Sequence, residues 1–162
     1  GNQRPYRQKI LKYMKKLFYT GQTAPMTDAA LLIARITIAI LMLSHGIPKL
    51  ALFNHTPVPF VDFLGMGSTV SLALTVFAEV GCSILILFGM GTRFATIPLI
   101  ITMAVAVLYV HGADPLAKQE PGIHYLLTYI LLLMMGSGKY SVDHLLTTSP
   151  EKQQVNHPSF AH

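Results

Sequence analysis

Glu79 is the lone charged residue of an apolar stretch, VSLALTVFAEVGCSILILFGM at 70–90, and Arg35 interrupts the earlier apolar stretch Ala29–Leu50. A charge at bilayer depth costs about 2.5–3.5 kcal/mol on insertion scales. An acid in one span and a base in another therefore predict that the two spans pack together and turn these charges inward. On helices rising 1.5 Å per residue, Arg35 lies about 10 Å and Glu79 about 16 Å from the same end, a difference that a guanidinium stem covers. The expectation is an Arg35–Glu79 ion pair inside the bundle. As a catalytic pair, Glu79 would take or give a proton, or hydrogen-bond a quinone headgroup, with Arg35 beside it. The same pair would equally serve to fix helix register with no chemistry at all.

A second group of reactive side chains gathers at span ends. His45 and Lys49 close the first apolar stretch, His111 and Asp114 follow the third, and His124 with Tyr125 opens the fourth. At about 100° per residue, Arg35, His45 and Lys49 fall within roughly 80° of one another, a polar stripe along one helix face. His45, Lys49, His111, Asp114, His124 and Tyr125 are the candidate ligand-binding residues. Imidazole, ammonium and carboxylate groups near an interface can bind a quinone and exchange its protons. Facing imidazoles can also ligate a haem iron or another metal, but no HExxH or closely paired His is present on one helix. Interfacial histidines with no ligand are the third alternative. Quinone is the cofactor this cluster fits first, haem the second, and no metal site is assigned. Cys82, one turn from Glu79 and the single cysteine, fits a small packing residue better than a redox centre. On its own it excludes an intramolecular disulfide and a cysteine-built metal cage.

The elements that must position these groups are membrane spans. The chain has 162 residues, 52% of them hydrophobic and only 12% charged, with a mean hydropathy of +0.50. Soluble domains carry about 25% charged residues, so a very apolar soluble bundle is the weaker alternative. The spans are read at Ala29–Leu50, Val70–Met90, Phe94–Val110 and Ile123–Met135. The last is short enough to be re-entrant, and a full span extended by GSGKY is favoured. Thr27 or Asp28 is positioned to cap the first span, and Pro48 to kink or end it near Ser44. Residues 51–68 read as an interfacial loop or short helix, GMGTR as a tight turn, and 111–122 as a polar loop. Three regions follow: a basic amphipathic segment at 1–27, a four-span domain at 28–146, and a polar, disordered tail at 147–162.

Within the first region, Arg4, Arg7, Lys9, Lys12, Lys15 and Lys16 alternate with apolar residues at helical spacing. That pattern suits an interfacial helix on an anionic membrane surface; no base-reading motif accompanies the charge, so nucleic acid is not an expected partner. These residues, with Arg93, Lys139 and Lys152, outweigh Lys49 and Lys118 at the opposite ends of the spans. The asymmetry predicts both termini on the cytoplasmic side. No short apolar core with a cleavage site follows the basic start, so the first span is expected to be retained.

The arginine of LLIARITIAILMLSHGIPKL, the acid of FAEVGCSILILFGMGTRFATIPL and the terminal GSGKYSVDHLL, in this order and spacing, resemble the DoxX family of small bacterial membrane proteins over about residues 29–146. The resemblance implies an all-α, four-helix bundle in the bacterial inner membrane. It also implies Arg35, His45, Lys49, Glu79 and Arg93 as the positions matching the family's polar motifs. Some relatives are named as subunits of thiosulfate:quinone oxidoreductase, and others are linked to membrane oxidoreductase complexes and oxidative-stress defence. The function this implies is a redox-associated, quinone-interacting inner-membrane subunit. With one cysteine and no flavin or iron–sulfur motif, the electron-transfer centre is expected on a partner subunit. A non-catalytic scaffold or assembly subunit and a small-solute or proton pathway are the alternatives, the last requiring a homo-oligomer.

Overall fold

The computed structural model describes residues 24–63 and 65–148. The expected amphipathic segment and most of the polar tail lie outside the described residues. Four long helices and one short one account for the regular structure, and no strand occurs among the described residues. Helix α1 is Ala24–Lys49, α2 is Ser68–Phe88 and α3 is Thr92–Val110. Helix α4 is Leu116–Met135 and the short α5 is Val142–Thr147.

Three of these helices, Ala24–Asn54 with its 3-10 extension, Ser68–Phe88 and Thr92–Val110, are long and apolar enough to cross a membrane. Helix α4 has 20 residues, about 30 Å of rise and so a bilayer's hydrocarbon thickness. It is one continuous helix rather than a re-entrant turn. Its first turns carry Lys118, Glu120 and Pro121, so the expected loop at 111–122 shrinks to the few residues before Leu116. Pro121, the sixth residue of α4, lies past the first turn and leaves the Ala117 carbonyl without its helical donor.

The core is built from all four long helices. Leu31, Ile38 and Met42 meet Cys82 and Ile86, Leu99 and Met103, and Tyr129 and Leu132. Small residues let the backbones approach: Ala39, Ala78 and Ser83 are all buried, as expected where lipid offers apolar chains no reason to leave it. Gly46 marks a close approach of α1 to α2, since a Cβ there would stand 2.9 Å from Glu79 Cβ and 3.1 Å from the Glu79 carbonyl carbon. Outward-facing residues are apolar: Phe77, Phe88, Phe94 and Leu108 are all exposed, a surface suited to lipid. Helices α3 and α4 pack along most of their length, and α1 lies against the second half of α2.

Several boundaries differ from the sequence reading. Helix α1 starts at Ala24, before the expected caps, and Asp28 instead accepts a hydrogen bond from the Lys139 backbone N–H at 2.9 Å. Pro48 lies inside α1, which continues to Lys49 and then tightens into a 3-10 turn at Leu50–Asn54. The segment GSGKY does not prolong α4. Gly136, with φ of 81°, ends that helix, and the chain folds back beneath the bundle into α5.

Two π-helical turns interrupt the spans, at Phe77–Cys82 in α2 and Ala106–Val110 in α3. Such turns insert an extra residue into a helix and gather at functional sites. One of them contains Glu79.

Candidate functional site

Glu79 is buried, and its partner is Lys49. The ammonium donates to both carboxylate oxygens, at 2.5 Å and 2.6 Å. The Glu79 side chain is 3% exposed and that of Lys49 29%, so the acid is enclosed while the lysine stem runs from the helix end inward.

This pairing corrects the expected Arg35–Glu79 ion pair. The contact of Gly46 with Glu79 and Val80 fixes these residues at one level of the bundle. Arg35 is eleven residues earlier in α1, roughly 16 Å away along the axis. Flush helix ends would have put the two charges together. Instead α1 overhangs the end of α2, and residues 136–147 fill the space beneath it.

Arg35 serves that lower end. It is 1% exposed, its Nη2 donates to the Tyr140 carbonyl at 2.5 Å, and Asp143 adds charge attraction. Nε and Nη1 have no hydrogen-bond partner among the described residues. Gly89, with φ of 68°, makes room: a Cβ there would overlap the guanidinium. The Asp143 carboxylate accepts from the backbone N–H of Gly91 at 2.7 Å and of Thr92 at 3.3 Å, capping α3 from α5. The Asp143 N–H in turn donates to the Gly89 carbonyl. Arg35 is thus a clamp on the C-terminal segment, not a member of the Glu79 site. Arg93, at the same end, donates to the Met134 carbonyl at 3.3 Å.

Two cavities flank the Lys49–Glu79 pair. The larger, about 470 Å³, lies between α2, α3 and the 55–67 loop. Its walls include Phe60, Phe63, Leu74, Thr75, Val105 and Tyr109. Phe63 and Tyr109 meet edge to face at 5.4 Å. The loop is pinned by the Phe63 N–H donating to Ser71 Oγ and the Gly67 N–H donating to Asp62. The smaller cavity, about 190 Å³, lies between α1, α3 and α4 and is lined by His45, His111, Lys118 and Tyr125 among others. Lys49, Glu79, Ala106 and His111 line both cavities, so these four residues form the septum. Glu79 and Ala106 each belong to a π turn.

Of the ligand-binding candidates, the structure brings His45, Lys49, His111 and Tyr125 together around the small cavity with Glu79. His45 and Tyr125 meet edge to face at 5.8 Å. Asp114 stands behind His111, 2.8 Å from Nδ1, with Lys118 Nζ at 3.9 Å. His124 is not part of the group; it is exposed on α4 and lines neither cavity. Cys82 is buried in the core. Its neighbour Ser83 faces Tyr129, and neither buried hydroxyl closes a hydrogen bond within 3.5 Å. No three His, Cys, Asp or Glu side chains come together as a metal-binding group among the described residues.

The aromatic wall of the larger cavity escaped sequence reasoning. Phe60 and Phe63 sit in a segment read as interfacial, and the π turns leave no signature in the residues themselves. Gly46 in SHGIPK, a small residue near the end of its span between His45 and Lys49, was the one available signal of the close contact with Glu79.

A family model, DoxX, matches residues 30–112, half of the chain, and that stretch contains Arg35, His45, Lys49, Glu79 and His111. No curated protein and no solved structure matches the chain.

Proposed function

We propose, for a chain that belongs to the DoxX family, that it binds a membrane quinone in the cavity above the Lys49–Glu79 pair and serves a quinone-linked redox complex. The observation that carries this reading is a hydrogen-bonded ion pair with an enclosed carboxylate in the wall of a largely apolar cavity of about 470 Å³. Small-molecule sites typically occupy about 300–1,000 Å³, with apolar walls and a few convergent polar groups. The larger cavity meets that description and the smaller one, at about 190 Å³, falls below it.

The chemistry follows from the parts. A quinone carbonyl accepts hydrogen bonds, and the Lys49 ammonium has a third N–H beyond the two given to Glu79. Phe60, Phe63 and Tyr109 offer faces and edges to a planar ring. Two-electron reduction of the ring, with electrons from the partner's centre, takes up two protons; the Lys49–Glu79 pair holds one, on the ammonium, which can pass to the near ring oxygen, and water replaces it through Glu79 and supplies the second. An isoprenoid tail would leave along the apolar exterior. The chain's own residues bind, orient and exchange protons; an electron-transfer centre would be supplied by a partner protein. With the basic ends of the helices inside, the Lys49 end faces outward in the bacterial inner membrane.

Quinone analysis of the purified protein tests this. Protein extracted in mild detergent from quinone-containing membranes is expected to carry about one quinone per chain, and Glu79→Gln with Lys49→Met is expected to lose it. Equal quinone in wild type and variant, or none in the wild type, defeats the proposal.

A further inference from the structure

We infer that His111, held by Asp114, passes protons between Glu79 and the aqueous end of the bundle through the small cavity; this rests on the quinone reading above. Four observations converge on it. His111 lines both cavities. Its side chain is nevertheless 43% exposed, whereas that of Glu79 is 3% exposed, so the imidazole reaches from the enclosed site to the exterior. Its Nδ1 lies 2.8 Å from Asp114 Oδ2. A carboxylate only accepts, so Nδ1 carries the hydrogen and Nε2 is left free to take and give a proton.

The fourth observation is the size and lining of the small cavity. At about 190 Å³ it has room for about six waters, each with a liquid share of about 30 Å³. His45, Lys49, Glu79, His111 and Lys118 supply polar contacts around it. These groups, set in otherwise apolar walls, offer water the two to four polar partners it needs, so the cavity can carry water beside Glu79. The septum keeps the two tasks apart: ligand on one side of Glu79, protons on the other. Lys118, 3.9 Å from Asp114, steadies the carboxylate at the mouth.

His111 acts through Glu79 and water, so it is a positioning and relay residue. The test is voltammetry of the quinone-loaded protein in a supported bilayer, in which the electrode supplies the two electrons and only the protons must come through the chain. His111→Ala is expected to slow proton-coupled reduction, measured per quinone bound, about 100-fold, the lower end of what a positioned acid–base group contributes. Millimolar imidazole in the buffer is expected to restore the rate. Asp114→Asn, which keeps the imidazole but not its orientation, is expected to give a smaller slowing with the same quinone content. An unchanged rate in His111→Ala with quinone still bound overturns the relay and leaves the quinone site standing. A slowed rate that imidazole does not restore also overturns it, as does loss of quinone in both variants. Absence of a quinone wave in the wild type overturns the site and the relay together.

Discussion

Replacing Lys49 by Met leaves Glu79 enclosed and without its partner, and the size of the penalty can be worked from the geometry. At 2.5 Å and an effective dielectric constant of 20, the gross attraction is about 6.6 kcal/mol. Desolvation offsets much of this, and breaking one side of a buried pair costs about 3–5 kcal/mol. The loss is expected to fall in that range, at about 3–4 kcal/mol. Glu79→Gln should cost less, because the Lys49 ammonium can snorkel to the helix end. The double variant should recover most of the loss. Reversible unfolding in bicelles by SDS titration reads all four corners of the cycle. Arg35→Met with Glu79→Gln, about 16 Å apart along the axis, should instead be additive within about 0.5 kcal/mol. Coupling between Arg35 and Glu79, with none between Lys49 and Glu79, refutes the assignment.

The close approaches make further predictions. Gly46→Leu forces a side chain into the Glu79 backbone, and overpacking of this kind is expected to lower stability by about 1–3 kcal/mol, seen as a lower midpoint in thermal unfolding. Gly89→Ala combines a left-handed backbone position with overlap on Arg35, at an expected cost of about 1–3 kcal/mol for the backbone alone; hydrogen exchange at residues 136–147 should rise in the same variant. Asp143→Ala removes the cap from the start of α3, a loss of about 1–2 kcal/mol, and limited proteolysis should then cut near Gly136–Ser141 while quinone content stays as in wild type.

Much of the architecture was legible because apolar length and charge scarcity are read directly from residue types. The three hydrophobic spans, the helical class and the inward-facing Glu79 all follow from this. The His45, Lys49, His111 and Tyr125 grouping was also legible, since alternating spans bring their ends to a common level. The partner of Glu79 was not. Axial register between α1 and α2 depends on where each helix ends, and α1 runs through Thr27 and Asp28 without using them as caps. The overhang this creates is filled by GSGKYSVD, whose glycines and aspartate fit equally well an interfacial extension of α4. Lys49, at a helix end, reads from sequence as a ligand-binding candidate; only the close contact at Gly46 places it over Glu79. His124 shows the opposite failure: correct depth, but on the exposed side of α4, where one helical step separates it from Tyr125.

The site itself is tested most directly by photo-crosslinking with an azido-quinone in nanodiscs, followed by mapping of the labelled peptides. The label is expected on the Phe60–Phe63 segment and on α3 near Val105–Tyr109, to be displaced by unlabelled quinone, and to be lost in Glu79→Gln with Lys49→Met. Labelling confined to the apolar groove between α1 and α4, lined by Met26, Ala30, Leu131 and Met135, or labelling that excess quinone does not displace, would contradict the quinone site at the Lys49–Glu79 pair.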